Sequence, residues 1–440
     1  MALSGIQIYK LLPQTNCKEC GFPTCLAFAM KLAAKQVELS ACPHVSEASK
    51  TQLAESAAPP VRLITLKANG NEVKAGNEVV LFRHEKTFYN RPGIFVRVRD
   101  DADAETIRQS VSAADQYAVN YVGMDLALDG FAVESVSGSA DKFAAAVAAV
   151  RSASSKPVIL LSKDPAAAAA GLLAIDGERP LLYSADPENW EAMADLAKQH
   201  QASLVVSAAT VDDTADLTEK VKGKGVEDMV LDTPGKSLSE QLEFATVVRR
   251  LALKKNFRLV GYPMIAFPHN SEAAVQAISK YAGFVVLDEF SAAEVYPLLV
   301  LRQNIYTDPQ KPIQVTPGLY EINNPTAESP VLVTTNFSIT YFSVANEVEG
   351  SGLPAWLLVT DAEGMSVLTA WAAGKFDSER IAKAVKGFNV ADKVSKKRVV
   401  LPGHVAVLSG ELEGELPDWE IRVGPREAVD IPKFMKQALN

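Results

Sequence analysis

Eight short apolar runs, each followed by a helical stretch, fill residues 92–305 and limit the fold more than any other feature. They are "IFVRVRD" (94–100), "GFAVESV" (130–136), "PVILLSKD" (157–164), "PLLYSAD" (180–186), "SLVVSAA" (203–209), "DMVLDT" (228–233), "RLVGYP" (258–263) and "FVVLDEF" (284–290). Strong helix formers lie between them, as in "PENWEAMADLAKQH" and "SLSEQLEFATVVRRLALKK". A run that is apolar at almost every position suits a strand covered on both faces, which is the situation in a parallel sheet. Eight strand–helix units over roughly 200–250 residues are the count of a (β/α)8 TIM barrel. An open doubly wound sheet is the alternative, and the count favours the barrel.

A chain of 440 residues has room for more than this one unit. Residues 1–60 hold all four cysteines and two expected helices, "LAFAMKLAAKQVEL" and "VSEASKTQLAESAA", ending before Pro59-Pro60. Residues 61–91 carry β-type runs around Asn69-Gly70 and Gly76-Asn77 and predict a β-hairpin connector. The barrel is then expected over 92–318 and a further α/β domain over 319–440. That last part alternates again: strands at "PVLVTTNF", "AWLLVTDAEG", "RVVLPG" and "WEIRVGP", helices at "SITYFSVANEVEG" with a capping Ser338 and at "DSERIAKAVKGF". "SVLTAWAAG" (366–374) reads as either. The alternation predicts a Rossmann-like sheet, whose ligands sit beyond the carboxyl ends of the strands.

Charge narrows the partners. The net charge is −9 and the densest basic run is "KVSKKR", which does not make a nucleic-acid surface. No uncharged apolar stretch approaches the roughly 18 residues that span a bilayer. The N-terminus lacks the basic and apolar regions of a signal peptide. A cytoplasmic location with no membrane contact is expected. In a reducing compartment, clustered cysteines bind metal more often than they pair.

The cysteines, Cys17, Cys20, Cys25 and Cys42, are spaced C-x2-C-x4-C-x16-C. Four thiolates suffice for a tetrahedral zinc or for one [4Fe–4S] cubane. Three sulfurs from one loop, with Gly21 inside it and Pro43 after the last ligand, fit a cubane better than paired zinc knuckles; zinc stays open. Other chemistry is sparse. No G-x-G-x-x-G follows a strand, "TPGKS" lacks the leading glycine of a P-loop, and the five histidines form no metal motif. His404, after an expected strand end, reads as a ligand or as an exposed helix-start residue. Carboxylates at barrel strand ends (Asp100, Asp164, Asp186, Asp232, Asp288, Glu289) stand where barrel catalysis occurs, and also where helix caps occur. No catalytic residue is assigned.

The segments "GIQIYKLLPQTNCKECGFPTCLAFAMKLA", "LFRHEKTFY", "LRQNIYTDPQKPIQV", "SPVLVTTNFSITYFSV", "GMSVLTAWAAGKF" and "VGPREA" resemble the large (gamma) subunits of corrinoid iron–sulfur proteins, from Ile6 to about Ala428. The resemblance implies three parts: an N-terminal [4Fe–4S] domain, a TIM barrel and a C-terminal Rossmann-like α/β domain binding cobalamin. It implies a methyl carrier of the reductive acetyl-CoA pathway. Co(I) cobalamin would take the methyl group of methyltetrahydrofolate, with a methyltransferase, and pass it to the nickel site of acetyl-CoA synthase. The cluster would return Co(II) to Co(I). Implied partners are a small TIM-barrel subunit in a heterodimer, the methyltetrahydrofolate methyltransferase, acetyl-CoA synthase/CO dehydrogenase and a low-potential donor such as ferredoxin. The corrinoid is expected base-off, in keeping with the missing D-x-H-x-x-G. Thr369 is expected near the lower cobalt face. The strand-end loops supply the other expected contacts: Thr334, Thr335, Thr340, Gly364, Met365, Ser366, Val367, Gly403, Glu427 and Ala428. An iron–sulfur electron-transfer subunit whose other domains only dock partners is the alternative function. A barrel enzyme using its own carboxylates is a third.

Overall fold

The computed structural model describes residues 5–33, 36–50, 53, 59–121, 124–308 and 312–438. The chain forms two compact units: Met1–Ala118 with Leu126–Tyr306, and Val119–Asp125 with Thr307–Asn440.

The first unit contains the barrel. Its strands are β1 (Gly93–Arg99), β2 (Gly130–Glu134), β3 (Val158–Leu161), β4 (Leu181–Ala185), β5 (Ser203–Ser207), β6 (Met229–Asp232), β7 (Met264–Ala266) and β8 (Ala282–Leu287). Each pairs in parallel with the next, and β8 closes onto β1 through Phe284↔Gly93 and Val286↔Phe95. The barrel is filled, not hollow: Phe95, Ala132, Ile159, Val205 and Phe284 are all fully buried within it. Gly130 makes room for Phe95, because a Cβ there would lie 2.5 Å from the ring and 2.2 Å from the Pro157 oxygen.

A two-stranded hairpin, Ile64–Ala68 with Asn71–Ala75, turns at Asn69 and Gly70, both at positive φ. That is the turn expected of Asn-Gly between twisted strands. The hairpin does more than connect. Ile64, Leu66, Val73 and Ala75 join the barrel core. A Cβ on Gly93 would lie 2.8 Å from Val73, and one on Gly283 2.8 Å from Ala75. The hairpin therefore plugs the amino end of the barrel and leaves the carboxyl mouth open.

One strand differs from expectation. Arg258–Val260 is a 3-10 turn, and the seventh strand begins only at Met264. Pro263 cannot donate to a ladder, and Gly261 is pressed to within 2.4 Å, at a would-be Cβ, of the Pro60 oxygen. A small pair of strands, Ala118–Tyr121 and Met124–Ala127, is an addition that counting runs did not separate. The helix expected over 45–58 falls partly outside the described residues.

The second unit is an open sheet with strands β9 (Gly318–Ile322), β10 (Val331–Thr335), β11 (Ala355–Thr360), β12 (Arg398–Leu401) and β13 (Glu420–Val423) in the order β9-β11-β10-β12-β13. All neighbours are parallel except β9, which runs antiparallel along β11. Alternate residues of β10 face opposite sides: Val331 and Val333 pack with Ile381, Val385 and Leu412, and Leu332 packs with Val348, Ile431 and Met435. Helices thus cover both faces. The strand order reverses direction between β10 and β12, the switch point at which open α/β sheets leave a crevice. Ser338 does not cap its helix as expected; it is the first helical residue and Phe337 takes the cap position. Asp377 does cap its helix, accepting from the Arg380 N–H. "SVLTAW" resolves as a helix, Val367–Ala372. Among the described residues no helix is long and apolar enough to cross a membrane.

Candidate functional site

The four cysteines are free thiols. A loop of left-handed turns presents the first two: Asn16, Lys18 and Gly21 all have positive φ, and Gly21 closes one turn onto the Lys18 oxygen at 2.9 Å. Cys25 opens the helix Cys25–Ala33, and its N–H donates to Asn16 Oδ1 at 2.8 Å, which fixes the loop against the helix start. Cys42 follows a 3-10 turn, Leu39–Ala41, and donates its N–H to the Leu39 oxygen. Cys25 and Cys42 are buried in one apolar cluster with Phe28 and Ala29, and Cys20 packs against it. Cys17 is exposed, beside Glu19 and His44, which face each other at 2.9 Å. Three thiols gathered around one apolar cluster, with backbone turned back on itself beside them, suit a soft metal centre shielded on one side.

The second candidate is a cavity of about 290 Å3 at the switch point of the open sheet. Thr334 from the end of β10, and Val400 to Pro402 from β12, form its floor. Ser366 ends the loop after β11 and Val367 and Leu368 open the helix that follows, while Gly424 to Ala428 come from the segment after β13. Thr340, Ser343 and Val344 close it from the helix Ser338–Ser351. The hydroxyls of Thr334, Thr335 and Ser338 are buried with no partner. A buried hydroxyl without a partner is costly unless a ligand or water completes it.

The loops are held by Asn336, itself buried. Its Oδ1 accepts the N–H of Ala362 at 2.9 Å and of Gly364 at 3.0 Å. Its Nδ2 donates to Asp361 and to Gln314, each at 3.2 Å. Gly364 has φ +74 and is pressed against Gln314, so only glycine fits there without strain. Gly403 is equally constrained: a Cβ would stand 2.5 Å from the Gly424 oxygen, so the β12 and β13 loops touch backbone to backbone.

Of the expected contacts, Thr334, Thr340, Ser366, Val367, Glu427 and Ala428 line this cavity. Thr335 is buried at the end of the strand, and Met365 packs into the core beneath. Gly364 and Gly403 shape the loops rather than the wall. Thr369 lies on the exposed side of its helix with its hydroxyl 3.0 Å from that of Ser366. His404 lines the cavity, 3.8 Å from Glu427. Arg426, in the loop after β13, lines it too, as do Ile339, Ile431 and Phe434, which were not anticipated. Phe434 and Ile431 come from a helix near the end of the chain, and only its amphipathic spacing signalled a buried face.

Most barrel strand-end carboxylates do local structural work. Asp100 accepts the N–H groups of Val136 and Ser137 and the Ser137 hydroxyl. Asp164 caps the helix Pro165–Ala174, Asp186 accepts from Glu188 and Asn189, and Asp288 pairs with Arg97.

Residues 63–435 match the family model described as CO dehydrogenase/acetyl-CoA synthase delta subunit, and residues 12–44 match a model for an Fe–S cluster domain. The chain is 41% identical over 445 residues to the corrinoid/iron–sulfur protein large subunit of Moorella thermoacetica, covering 100% of both chains. It is 35% identical over 456 residues to the acetyl-CoA decarbonylase/synthase complex subunit gamma of Methanopyrus kandleri, covering 99% of this chain and 98% of that one. The gamma subunit of Methanothermobacter thermautotrophicus is 33% identical, with 99% of each chain covered.

Proposed function

The chain belongs to the family of corrinoid/iron–sulfur protein large subunits, the gamma subunits of acetyl-CoA decarbonylase/synthase complexes, and on that premise we propose that it is a corrinoid methyl carrier. Its methyl group would come from methyltetrahydrofolate, with a methyltransferase, and go to the nickel site of acetyl-CoA synthase. The observation that carries this reading is the cavity at the sheet's switch point, in a chain that also carries four free thiols.

The residues fit both groups. Unpaired thiols around an apolar cluster are the donor set of a [4Fe–4S] centre, and Cys17, Cys20, Cys25 and Cys42 would hold it. The orphaned hydroxyl of Thr334 suits the amide-bearing edge of a corrin, as do Ser366 and the backbone around Val367. When bound, the corrinoid supplies a nucleophilic cobalt that accepts and releases a methyl group, and the cluster supplies single electrons that restore it.

The protein's own part is to bind and orient. Asn336 fixes the β11 loop so that Ser366 and Val367 face the cavity. Gly403 lets the β12 and β13 loops close together, bringing Glu427 and Ala428 alongside. Thr369, whose hydroxyl lies 3.0 Å from that of Ser366, would hold Ser366 in place for the corrinoid and offer a hydroxyl at the edge of the site. These residues would bind the corrinoid base-off, with no protein side chain assigned as its ligand. The small TIM-barrel subunit would cover the open side of the cavity, and ferredoxin would feed the cluster.

The test supplies isotopically labelled methyltetrahydrofolate and the methyltransferase to the anoxic heterodimer. Label should appear on the protein-bound corrinoid and leave it when acetyl-CoA synthase is added. Label that stays on the folate, in a sample with intact corrinoid and reduced cluster, contradicts the proposal.

A further inference from the structure

The open mouth of the barrel has no role in the methyl-carrier reading, yet it holds a cavity of about 560 Å3. That size accommodates a small-molecule ligand, and the carboxyl ends of barrel strands are where such ligands sit. Asp232, the last residue of β6, lies in its wall and is 6% exposed. Unlike Asp164 it caps no helix, since Ser237 caps the next one, Leu238–Lys255, and unlike Asp288 it pairs with no arginine. It has no ion-pair partner among the described residues. The hydroxyls of Tyr183 (2.9 Å) and Ser207 (3.1 Å) both donate to its Oδ2. No side-chain donor reaches Oδ1. Burial raises the Asp232 pKa, and the two hydroxyls, the Thr233 N–H and the nearby charge of Lys163 oppose that rise only in part. Beside it the Thr233 hydroxyl is shut from solvent and has no partner.

The rest of the cavity is built differently. Leu161, Met264 and Phe267 give it flat apolar walls, and the Arg97 guanidinium lies 5.7 Å from the Phe267 ring centre. At the rim, Lys236 and Lys280 form no ion pair among the described residues, although Lys236 is near enough to Glu240 to help hold that carboxyl down.

We propose that the barrel mouth binds a flat heterocycle that presents adjacent N–H donors to Asp232 and carries an anionic arm held by Lys236 and Lys280. A carboxyl group offers two oxygens side by side, which match a ring N–H and a neighbouring exocyclic amine in a bidentate pair. The apolar walls take the faces of the ring and dry the contact, which strengthens it. A saccharide, with hydroxyls on both faces, would leave those walls poorly matched.

Isothermal titration of the anoxic, cofactor-loaded heterodimer tests this with four probes: guanosine, GMP, folic acid and AMP. Guanine and the pteridine of folic acid share the required edge; adenine lacks the ring N–H beside its amine. GMP or folic acid should bind, with AMP weaker by about tenfold or more, and whichever binds more tightly identifies the ring. Asp232→Asn should remove the preference over AMP. Lys236→Ala with Lys280→Ala, on the rim where folding is not at stake, should erase the advantage of GMP over guanosine and leave guanosine unchanged. Failure of both GMP and folic acid to bind the unaltered protein overturns the proposal. So does binding that neither set of substitutions changes. Iron and cobalt content is measured in the same samples, so a failure of the methyl-carrier reading would be seen separately.

Discussion

Asn336 accepts the backbone N–H of Gly364 at 3.0 Å, and this one contact joins the ends of β10 and β11 at the edge of the switch-point cavity. The same oxygen takes the Ala362 N–H, so one side chain satisfies two buried donors. Asn336→Ala would leave both unpaired. The expected loss is about 1–3 kcal/mol for each buried group left without a partner, read as a lower melting temperature of the corrinoid-free chain. The variant should also retain less corrinoid. An unchanged melt with normal corrinoid content would mean the loop is held by other contacts.

Gly403 tests whether closeness of the β12 and β13 loops matters to the cavity. Gly403→Ala forces a methyl group to within 2.5 Å of the Gly424 oxygen, which backbone cannot tolerate without moving. Gly410→Ala is the control, since nothing lies within 4 Å of a Cβ there. We expect corrinoid content to fall in the first variant and hold in the second. Equal content in both would separate the loop contact from cofactor binding.

His404 stands in the cavity wall next to Glu427. If the corrinoid is base-off without a protein ligand, no imidazole nitrogen touches cobalt. The Co(II) electron paramagnetic resonance spectrum should then show no nitrogen splitting, and His404→Ala should leave it unchanged. Nitrogen splitting that disappears in the variant would make His404 a ligand.

The sequence carried the barrel in its rhythm, because strands buried on both faces must be apolar throughout and so stand out one by one. It misled where backbone chemistry overrode hydrophobicity: Arg258–Val260 is apolar enough for a strand, but Gly261 and Pro263 delay the ladder to Met264. The edge strand β9 went unread because its antiparallel pairing with β11 is a tertiary fact, and "TPGLYEI" alone resembles a loop. In the cavity, Thr334 and the β13 loop were legible as strand ends. Phe434 and Ile431 were not, since only packing brings that distant helix to the wall. Asn336 was visible as a strand-end residue; its grip on Ala362 and Gly364 needed coordinates. Asp232 was one of six similar strand-end acids, and only its burial and hydroxyl partners set it apart.

The hairpin that plugs the barrel gives a pH signature. Glu72 is held down to about 2 by its hydrogen bonds to Lys67 and then Lys74. A carboxylate depressed in the folded state contributes stability above its unfolded pKa of about 4.3. That contribution is lost as pH falls toward 2. Both lysines are exposed, so the effect is small and screened by salt. Glu72→Gln should therefore melt lower than the unaltered chain at pH 7 in low salt. The two melting temperatures should converge on acidification. A difference that persists undiminished at pH 2 would mean the glutamate acts by packing, not by charge.

The most direct measurement is the cofactor content of the heterodimer purified without oxygen. The account predicts one corrinoid and about four irons per large chain, with the iron lost and the corrinoid kept when Cys20 or Cys25 is replaced by Ser. Stoichiometric zinc in place of iron, with no corrinoid bound, would contradict it.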